Sequence, residues 1–182
     1  MTSSALHPEA KAPRISIMNT STPDRRNLLT AATLLALATP GAVLAAVKDT
    51  FANSPFRRLA DGDWKKRLPG ASYLVLRRED TERPGTSPLL NEHRKGRFVC
   101  LGCDLPLFGS DTKYESGTGW PSFYRPLPGG IATKTDFRIG VPRTEYHCAQ
   151  CLGHQGHLFT DGPQPTGLRY CNNGVALKFV AT

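Results

Sequence analysis

Five cysteines carry most of the chemical potential of this chain: Cys100, Cys103, Cys148, Cys151 and Cys171. An odd number cannot pair completely within one chain, so the five must do at least two jobs. Four of them form two pairs of equal spacing, Cys100-Leu-Gly-Cys103 and Cys148-Ala-Gln-Cys151, with 44 residues between the pairs. Two residues between cysteines let a tight turn aim both sulfurs at one metal, and Gly102 is expected to supply the backbone freedom that such a turn wants. Two such turns complete a tetrahedral Cys₄ shell for one structural Zn²⁺ per chain, with Zn–S near ~2.3 Å and no open position for chemistry. The competing uses are two disulfides or a redox Cys-x-x-Cys. A redox pair is usually single and opens a helix, whereas both pairs here fall among strand and turn signals.

Cys171 stands apart, in Gly167-Leu-Arg-Tyr-Cys-Asn-Asn-Gly174, where it is expected to open the last strand. A lone cysteine can simply fill a core. Arg169, two residues earlier, argues for a nucleophile instead, because a cationic neighbour stabilises the reactive thiolate. His154 and His157 follow the second pair closely; four cysteines already fill a tetrahedral shell, which frees both histidines for acid–base work near neutral pH. Trp120 lies in Gly117-Thr-Gly-Trp-Pro-Ser-Phe123, a rigid frame that suits either a core indole or an aromatic wall for a small apolar group.

These side chains need positioning elements. A short helix is expected over 61–68, closed by Pro69-Gly70. The apolar run 73–76 reads as a strand, and 81–85 then turns the chain. Further short strands are expected at 97–99, 105–108, 135–141, 144–147, 158–159 and 175–180, separated by Gly, Pro and Asp. No stretch after residue 100 sustains helical periodicity for ten residues, so the domain reads as mainly β. At 182 residues the chain allows one such domain and an appendage, too little for two sizeable cores.

The appendage is the first 46 residues. Residues 1–24 are polar and aperiodic; Arg25-Arg26 then precede an uncharged Leu- and Ala-rich run ending in Val43-Leu44-Ala45-Ala46. A basic region, an apolar stretch and a small-residue end make a secretory signal layout, and the paired arginines resemble a bacterial twin-arginine signal. The expected location is therefore the periplasm; an uncleaved membrane anchor is the alternative, weakened by Pro40-Gly41. After cleavage no stable membrane insertion is expected. Residues 47–63 read as a linker and 64–182 as the folded domain. The net charge of +8 falls only to about +6 without the leader, which removes four basic and two acidic groups. The remaining clusters, Arg57-Arg58, Lys65-Lys66-Arg67, Arg77-Arg78 and Arg94-Lys95-Arg97, carry few interleaved aromatics and read as a solvated basic face, with no nucleic-acid partner expected.

From Trp64 onward the motifs resemble the B-type peptide methionine sulfoxide reductases, which act on the R epimer. The resemblance rests on Thr81-Glu-Arg-Pro84, the first Cys pair followed by Pro-Leu-Phe108, and Lys113-Tyr-x-Ser-Gly-x-Gly-Trp-Pro-Ser-Phe123. It continues through the second Cys pair, His154-x-Gly-His157-x-Phe159, Asp161-Gly-Pro-x-Pro-Thr-Gly167 and Arg169-Tyr-Cys-x-Asn173. It implies two twisted antiparallel sheets with a few short N-terminal helices, stapled by zinc on the four paired cysteines. It also implies Cys171 as catalytic thiolate, with His154, His157 and Asn173 holding and protonating the sulfoxide oxygen. Trp120 would pack on the substrate methyl group, with Phe159 and Arg169 also at the substrate. The implied substrates are oxidised proteins and peptides, and the implied product on the enzyme is a Cys171 sulfenic acid. Many members carry a resolving cysteine where this chain has Thr118, so the sulfenic acid is expected to need an external thioredoxin-like or small-thiol reductant. The residue after the catalytic cysteine, usually apolar, is Asn172, and the usual serine after the asparagine is Gly174. The competing functional readings are a zinc-ribbon binding module and a non-catalytic relative; neither needs Cys171 and both histidines.

Overall fold

The computed structural model describes residues 49–182, so the expected leader and its export signal lie outside the described residues. No helix among the described residues is long and apolar enough to cross a membrane. Two antiparallel sheets make the domain. The smaller has the order β2-β1-β9, from β1 (Gly96–Cys100), β2 (Pro106–Gly109) and β9 (Leu177–Ala181). The larger has the order β3-β4-β8-β7-β6-β5. Its strands are β3 (Lys113–Tyr114), β4 (Ser122–Phe123), β5 (Ile131–Asp136), β6 (Arg143–Cys148), β7 (His154–Phe159) and β8 (Arg169–Asn172). The mainly β, two-sheet architecture expected from the sequence is therefore present, with two short α-helices on the N-terminal side.

Helix α1 runs over Asp61–Arg67 as the periodicity and the following Pro69-Gly70 predict. The expected strand at 73–76 is instead the middle of a second helix, α2 (Gly70–Arg78). Four contiguous apolar residues fit either element. The decision comes from outside the run: Pro69 sits just before the first helical residue, where its missing N–H costs nothing. Ser72, Tyr73, Val75 and Leu76 then share one buried face at helical spacing. Glu79 closes the helix in the left-handed region (φ 56), and the Asp80 N–H reaches back to the Leu74 carbonyl at 3.2 Å. The stretch read as linker contains a 3-10 turn, Pro55–Arg58, and Phe56 and Leu59 pack against the core.

The strand expected at 135–141 is displaced toward the N-terminus. Asp136 accepts the Arg138 N–H (2.8 Å) and Gly140 adopts φ +83, which turns the chain over 137–140 and ends β5 at Asp136. β5 has four consecutive exposed residues, so no alternation marked it in the sequence. The core lies between the sheets and is largely aromatic. Phe108 stacks on Phe123 with centroids 4.2 Å apart, and Tyr146 meets Tyr170 edge-on at 5.4 Å. Each fully buried ring contributes roughly 1.5–3 kcal/mol of transfer free energy, which fixes the two sheets against each other.

Candidate functional site

The two Cys-x-x-Cys pairs begin on the last residues of β1 and β6, Cys100 and Cys148, and turn the same way. Asp104 N–H donates to the Cys100 carbonyl and Leu152 N–H to the Cys148 carbonyl, both at 2.9 Å. The left-handed residues are Asp104 (φ 62) and Leu152 (φ 59), which replace Gly102 in the role expected for it. Gly102 is needed for space: a Cβ there would meet the Trp64 ring at 3.3 Å and the Cys151 sulfur at 3.6 Å. All four sulfurs are buried and lie within 4.8 Å of one another, with Cys103–Cys148 at 3.4 Å and Cys100–Cys151 at 3.6 Å. Those separations are far beyond a disulfide bond of about 2.05 Å. They sit close to the ~3.8 Å edge of a tetrahedron with 2.3 Å Zn–S bonds, so the donor set fits zinc.

Three arginines counted as part of a solvated basic face hold these turns instead. Arg57 donates to the carbonyls of Ala149 (2.7 Å) and Gln150 (3.2 Å), Arg67 to Gly102 (3.0 Å) and Arg77 to Cys151 (3.0 Å). Turn carbonyls that lack strand partners thus gain charged donors.

The fifth cysteine lies on β8, in the interior of the large sheet, one strand earlier in the chain than expected. Alternation along β8 points Tyr170 and Asn172 into the core and Arg169 and Cys171 to the opposite face. Cys171 pairs with Ser122 on β4 and with His157 on β7, so the thiol and imidazole share a face. A cleft of about 150 Å³ opens over them, lined among others by Trp120, Arg143, His157, Phe159, Cys171 and Asn173. Gly156 makes the approach possible, since a Cβ there would lie 1.9 Å from the Cys171 carbonyl oxygen.

A spacing of three puts His154 and His157 on opposite faces of a regular strand. The register of β7 against β6 slips between Tyr146 and His147, leaving Gln155 as an extra residue. This bulge returns both rings to one face, with centroids 5.4 Å apart. Gln155 turns inward, where its Nε2 donates to the Cys100 sulfur (3.4 Å) and its carbonyl accepts the Asn173 N–H (2.8 Å). One residue therefore joins the cysteine staple to the end of the thiol-bearing strand.

Carboxylates that the sequence reading missed hold both rings. His154 is buried and its Nδ1–H donates to Glu145 at 2.8 Å, which leaves Nε2 without a partner. His157 donates from Nε2 to Asp136 at 2.8 Å, and Arg143 donates to the same carboxylate oxygen at 2.6 Å. Burial raises the Glu145 carboxyl, but the N–H groups of His147 and His154 outweigh it and hold the group well below the usual carboxylate range. The Arg138 backbone N–H, with His157 and Arg143, does the same for Asp136. Burial lowers His157, and the hydrogen bond to Asp136 offsets this only in part. The signal was present in β6: Arg143, Glu145 and His147 alternate with Thr144 and Tyr146, a charged face opposite a partly apolar one.

Burial pushes the Cys171 thiol up, against the Arg169 charge and the hydrogen bonds from Thr118 and Arg169, which pull it down. Arg169 is itself committed to Asp161 through two 2.8 Å bonds and lies over the Phe159 ring at 4.2 Å. It borders a separate cleft with Thr118 and Asp161; the cation in the thiol cleft is Arg143. His154 lies behind His157, on a cavity of about 300 Å³ that the two histidines share.

A strap from the Thr81-Glu-Arg-Pro motif positions the rest. The Glu82 carbonyl accepts Trp120 Nε1–H at 3.1 Å, and its own N–H donates to Asn173 Oδ1 at 3.0 Å. Its carboxylate accepts the N–H groups of Gly174 and Val175. Asn173 also donates to the Gln155 carbonyl at 2.9 Å, so its amide is tied at both ends. Asn172 fills its core position as a polar residue, accepting Tyr146 O–H at 2.8 Å and donating to the Asn173 carbonyl at 2.8 Å. At Gly174 a Cβ would lie 1.9 Å from the Ser87 hydroxyl, which takes up that space.

A half-buried thiol and a carboxylate-held imidazole thus share one face of a two-sheet β frame whose four other cysteines lie close enough together to hold a metal. The SelR domain family model matches residues 68–181 of this chain. The peptide methionine sulfoxide reductase MsrB of Leptospira interrogans is 52% identical over 121 residues, 66% of this chain and 92% of that protein. The protein of the same name from Agrobacterium fabrum is 49% identical over 127 residues, 69% and 94% of the two chains. The chloroplastic peptide methionine sulfoxide reductase B1 of Arabidopsis thaliana is 48% identical over 127 residues, 69% of this chain and 63% of that one. The chain belongs to the SelR-domain family of B-type peptide methionine sulfoxide reductases.

Proposed function

We propose that this protein repairs oxidised polypeptides by reducing peptidyl L-methionine R-sulfoxide to methionine, with Cys171 as nucleophile. The observation that carries the reading is the pairing of Cys171 with His157 at the floor of a cleft walled by Trp120 and Phe159. The thiolate attacks the sulfoxide sulfur, the S–O bond breaks, and the oxygen is transferred to Cys171. Methionine leaves and Cys171 becomes a sulfenic acid, so the sulfoxide is reduced by two electrons and the thiol oxidised by two. Trp120 offers its face to the substrate methyl group. Arg143 and His157 stand where charge develops on the oxygen, and His154 supplies or relays the proton.

Asn173 serves mainly by fixing the strand end, given that backbone groups hold its amide. Arg169 acts on the thiol by charge and hydrogen bonding from the same face of β8. Zinc on Cys100, Cys103, Cys148 and Cys151 supplies a closed structural staple and no reactive position. With those four sulfurs committed and Thr118 beside the thiol, regeneration needs an external reductant. A first thiol condenses with the sulfenic acid and releases water; a second reduces the mixed disulfide. We further propose export to the periplasm through residues 1–46 with their Arg25-Arg26 pair, and catalysis by the domain over 64–182. Replacing both arginines with lysine should retain the protein in the cytoplasm if the route is twin-arginine.

The test is turnover of R- and S-sulfoxide methionyl peptides by wild type and Cys171→Ser, with thiol reductant in excess. Turnover of the R epimer alone, lost in the variant, is expected. Equal activity in the variant, or preference for S, overturns the assignment. Mass analysis after one turnover without reductant should find a sulfenic acid and no intramolecular disulfide at Cys171.

A further inference from the structure

Three of the most exposed large apolar side chains of the described residues crowd one turn: Phe137 (66% exposed), Ile139 (61%) and Val141 (56%). A solvated hairpin tip gains nothing from apolar side chains, and clustered exposed ones mark interaction sites more often than scattered ones do. This turn joins β5 to β6 and is tied to the thiol cleft at its base. Asp136, the residue before Phe137, accepts from His157 (2.8 Å) and from Arg143 (2.6 Å), both of which line that cleft. Arg138 is held by the carbonyls of Arg78 (3.2 Å) and Glu79 (2.7 Å), which anchors the turn to the end of α2. Ile139 lines the cavity of about 300 Å³ behind the histidines, and that cavity shares Thr81, Arg143 and His157 with the thiol cleft. The two concavities thus share a wall of Thr81, Arg143 and His157, and the second reaches Ile139 at the apolar tip.

We propose that Phe137, Ile139 and Val141 form a docking surface for the polypeptide that carries the oxidised methionine, selecting chains with apolar side chains within a few residues of it. The inference rests on the reductase reading above and adds its substrate preference. An extended chain advances about 3.3 Å per residue, so flanking residues pass over His157 and Arg143 on the way from the cleft to the tip. A sulfoxide next to apolar neighbours belongs to a segment that is normally buried and is reachable only when the client protein has opened. The turn therefore biases the enzyme toward damaged cores over surface methionines. Because its side chains do not touch the reacting atoms, their contribution is uniform binding, which appears in KM and leaves kcat unchanged.

The experiment compares wild type with the triple variant Phe137→Ser/Ile139→Ser/Val141→Ser on three R-sulfoxide substrates: N-acetyl-methionine sulfoxide, a heptapeptide with Leu and Val flanks, and the same peptide with Ser flanks. Wild type should favour the apolar peptide about tenfold in kcat/KM through KM, and the variant should lose that preference, since buried apolar side chains are the source of the binding. Turnover of the acetylated amino acid should be the same for both proteins. Equal kcat/KM for the two peptides in wild type, or a preference retained by the variant, overturns the docking surface and leaves the reductase reading standing. Failure of wild type to reduce any of the three substrates overturns both. A wild-type dimer that the variant converts to monomer would assign the tip to self-association and overturn the proposal.

Discussion

The staple cysteines and Cys171 are one residue type put to opposite uses, and their placement within strands accounts for the difference. Cys100 and Cys148 are the last residues of their strands, and their partners follow in tight turns, so four sulfurs converge at one buried point. Cys171 lies within a strand, where its immediate chain neighbours point away and the residues beside it on the sheet face are cross-strand ones and Arg169. Convergence at strand ends makes a closed set of four sulfurs fit to hold a metal; isolation within a strand leaves one sulfur facing a cleft and an imidazole. Gln155 touches both regions, so the staple also braces the bulge that aligns the histidines.

The sharpest way to break this contrast is to exchange the two losses. Cys103→Ser should release the metal and unfold the domain, because a structural zinc contributes roughly 10–16 kcal/mol, as much as a domain's whole stability. A strong chelator should do the same to wild type. Cys171→Ser should keep one zinc per chain and melt within about 2 °C of wild type, with turnover abolished. Metal analysis and calorimetry on the two variants decide it: loss of metal from the Cys171 variant would collapse the distinction.

Glu145→Gln tests the histidine arrangement at the next scale. It removes the carboxylate that fixes the His154 tautomer while keeping the volume. Loss of about 10²-fold in kcat with little change in KM is expected, the low end of a general acid–base contribution. A fall in KM-dependent binding alone would move His154 out of the proton path. Acid acts on the same carboxylates. Asp136 and Glu145 are depressed in the folded state, so their stabilisation is complete above the ordinary carboxylate values near ~4 and is lost as pH falls below them. Thermal stability should therefore decline from about pH 4 downward, and Asp136→Asn should flatten that decline.

The cysteine partition and the histidines were legible in the sequence because residue type and spacing alone express them. The carboxylates were legible only in part: alternation in β6 marks a charged face that includes Glu145, but which rings Glu145 and Asp136 meet is set by the tertiary pairing of their strands. The same limit applies to Arg169 and Arg143. Proximity in sequence favoured the first, but Asp161 occupies it, while Arg143 reaches the cleft across two strands. Helix α2 was hidden because its apolar run is too short to carry a period, and β4 and β8 because two and four residues give no pattern. The bulge at Gln155 is the plainest case, since strict alternation predicts the histidines on opposite faces.

A smaller effect is expected at the thiol itself. Since burial raises Cys171, its alkylation by iodoacetamide should speed up as pH rises through a midpoint above the ordinary thiol value near ~8.5. Thr118→Val removes one donor to the thiolate. A hydrogen bond to a charged group is worth about 1.5 kcal/mol, or about one pK unit, so alkylation at pH 8 should slow about tenfold. Thr118→Ser keeps the donor and should react like wild type. An unchanged rate in the valine variant would show that Arg169 alone sustains the thiolate.

The smallest effect separates the two turns of the staple. Asp104 and Leu152 occupy equivalent left-handed positions, with φ 62 and 59. Aspartate tolerates that region because its short polar side chain can bond locally, whereas leucine suffers the full clash of Cβ with the carbonyl oxygen, about 1–2 kcal/mol. Leu152 is 46% exposed, so its replacement sacrifices only part of a buried side chain. Leu152→Asn should therefore stabilise the metal-loaded protein, by about 0.5 kcal/mol after the lost contact is deducted. Asp104→Leu should destabilise it by a similar or larger amount, as it also removes the ion pair with Lys178 at 2.7 Å. Denaturant midpoints with metal bound measure both. If the two changes shift stability in the same direction, the turns are not equivalent, and the strain at Leu152 is being relieved by something other than its own backbone.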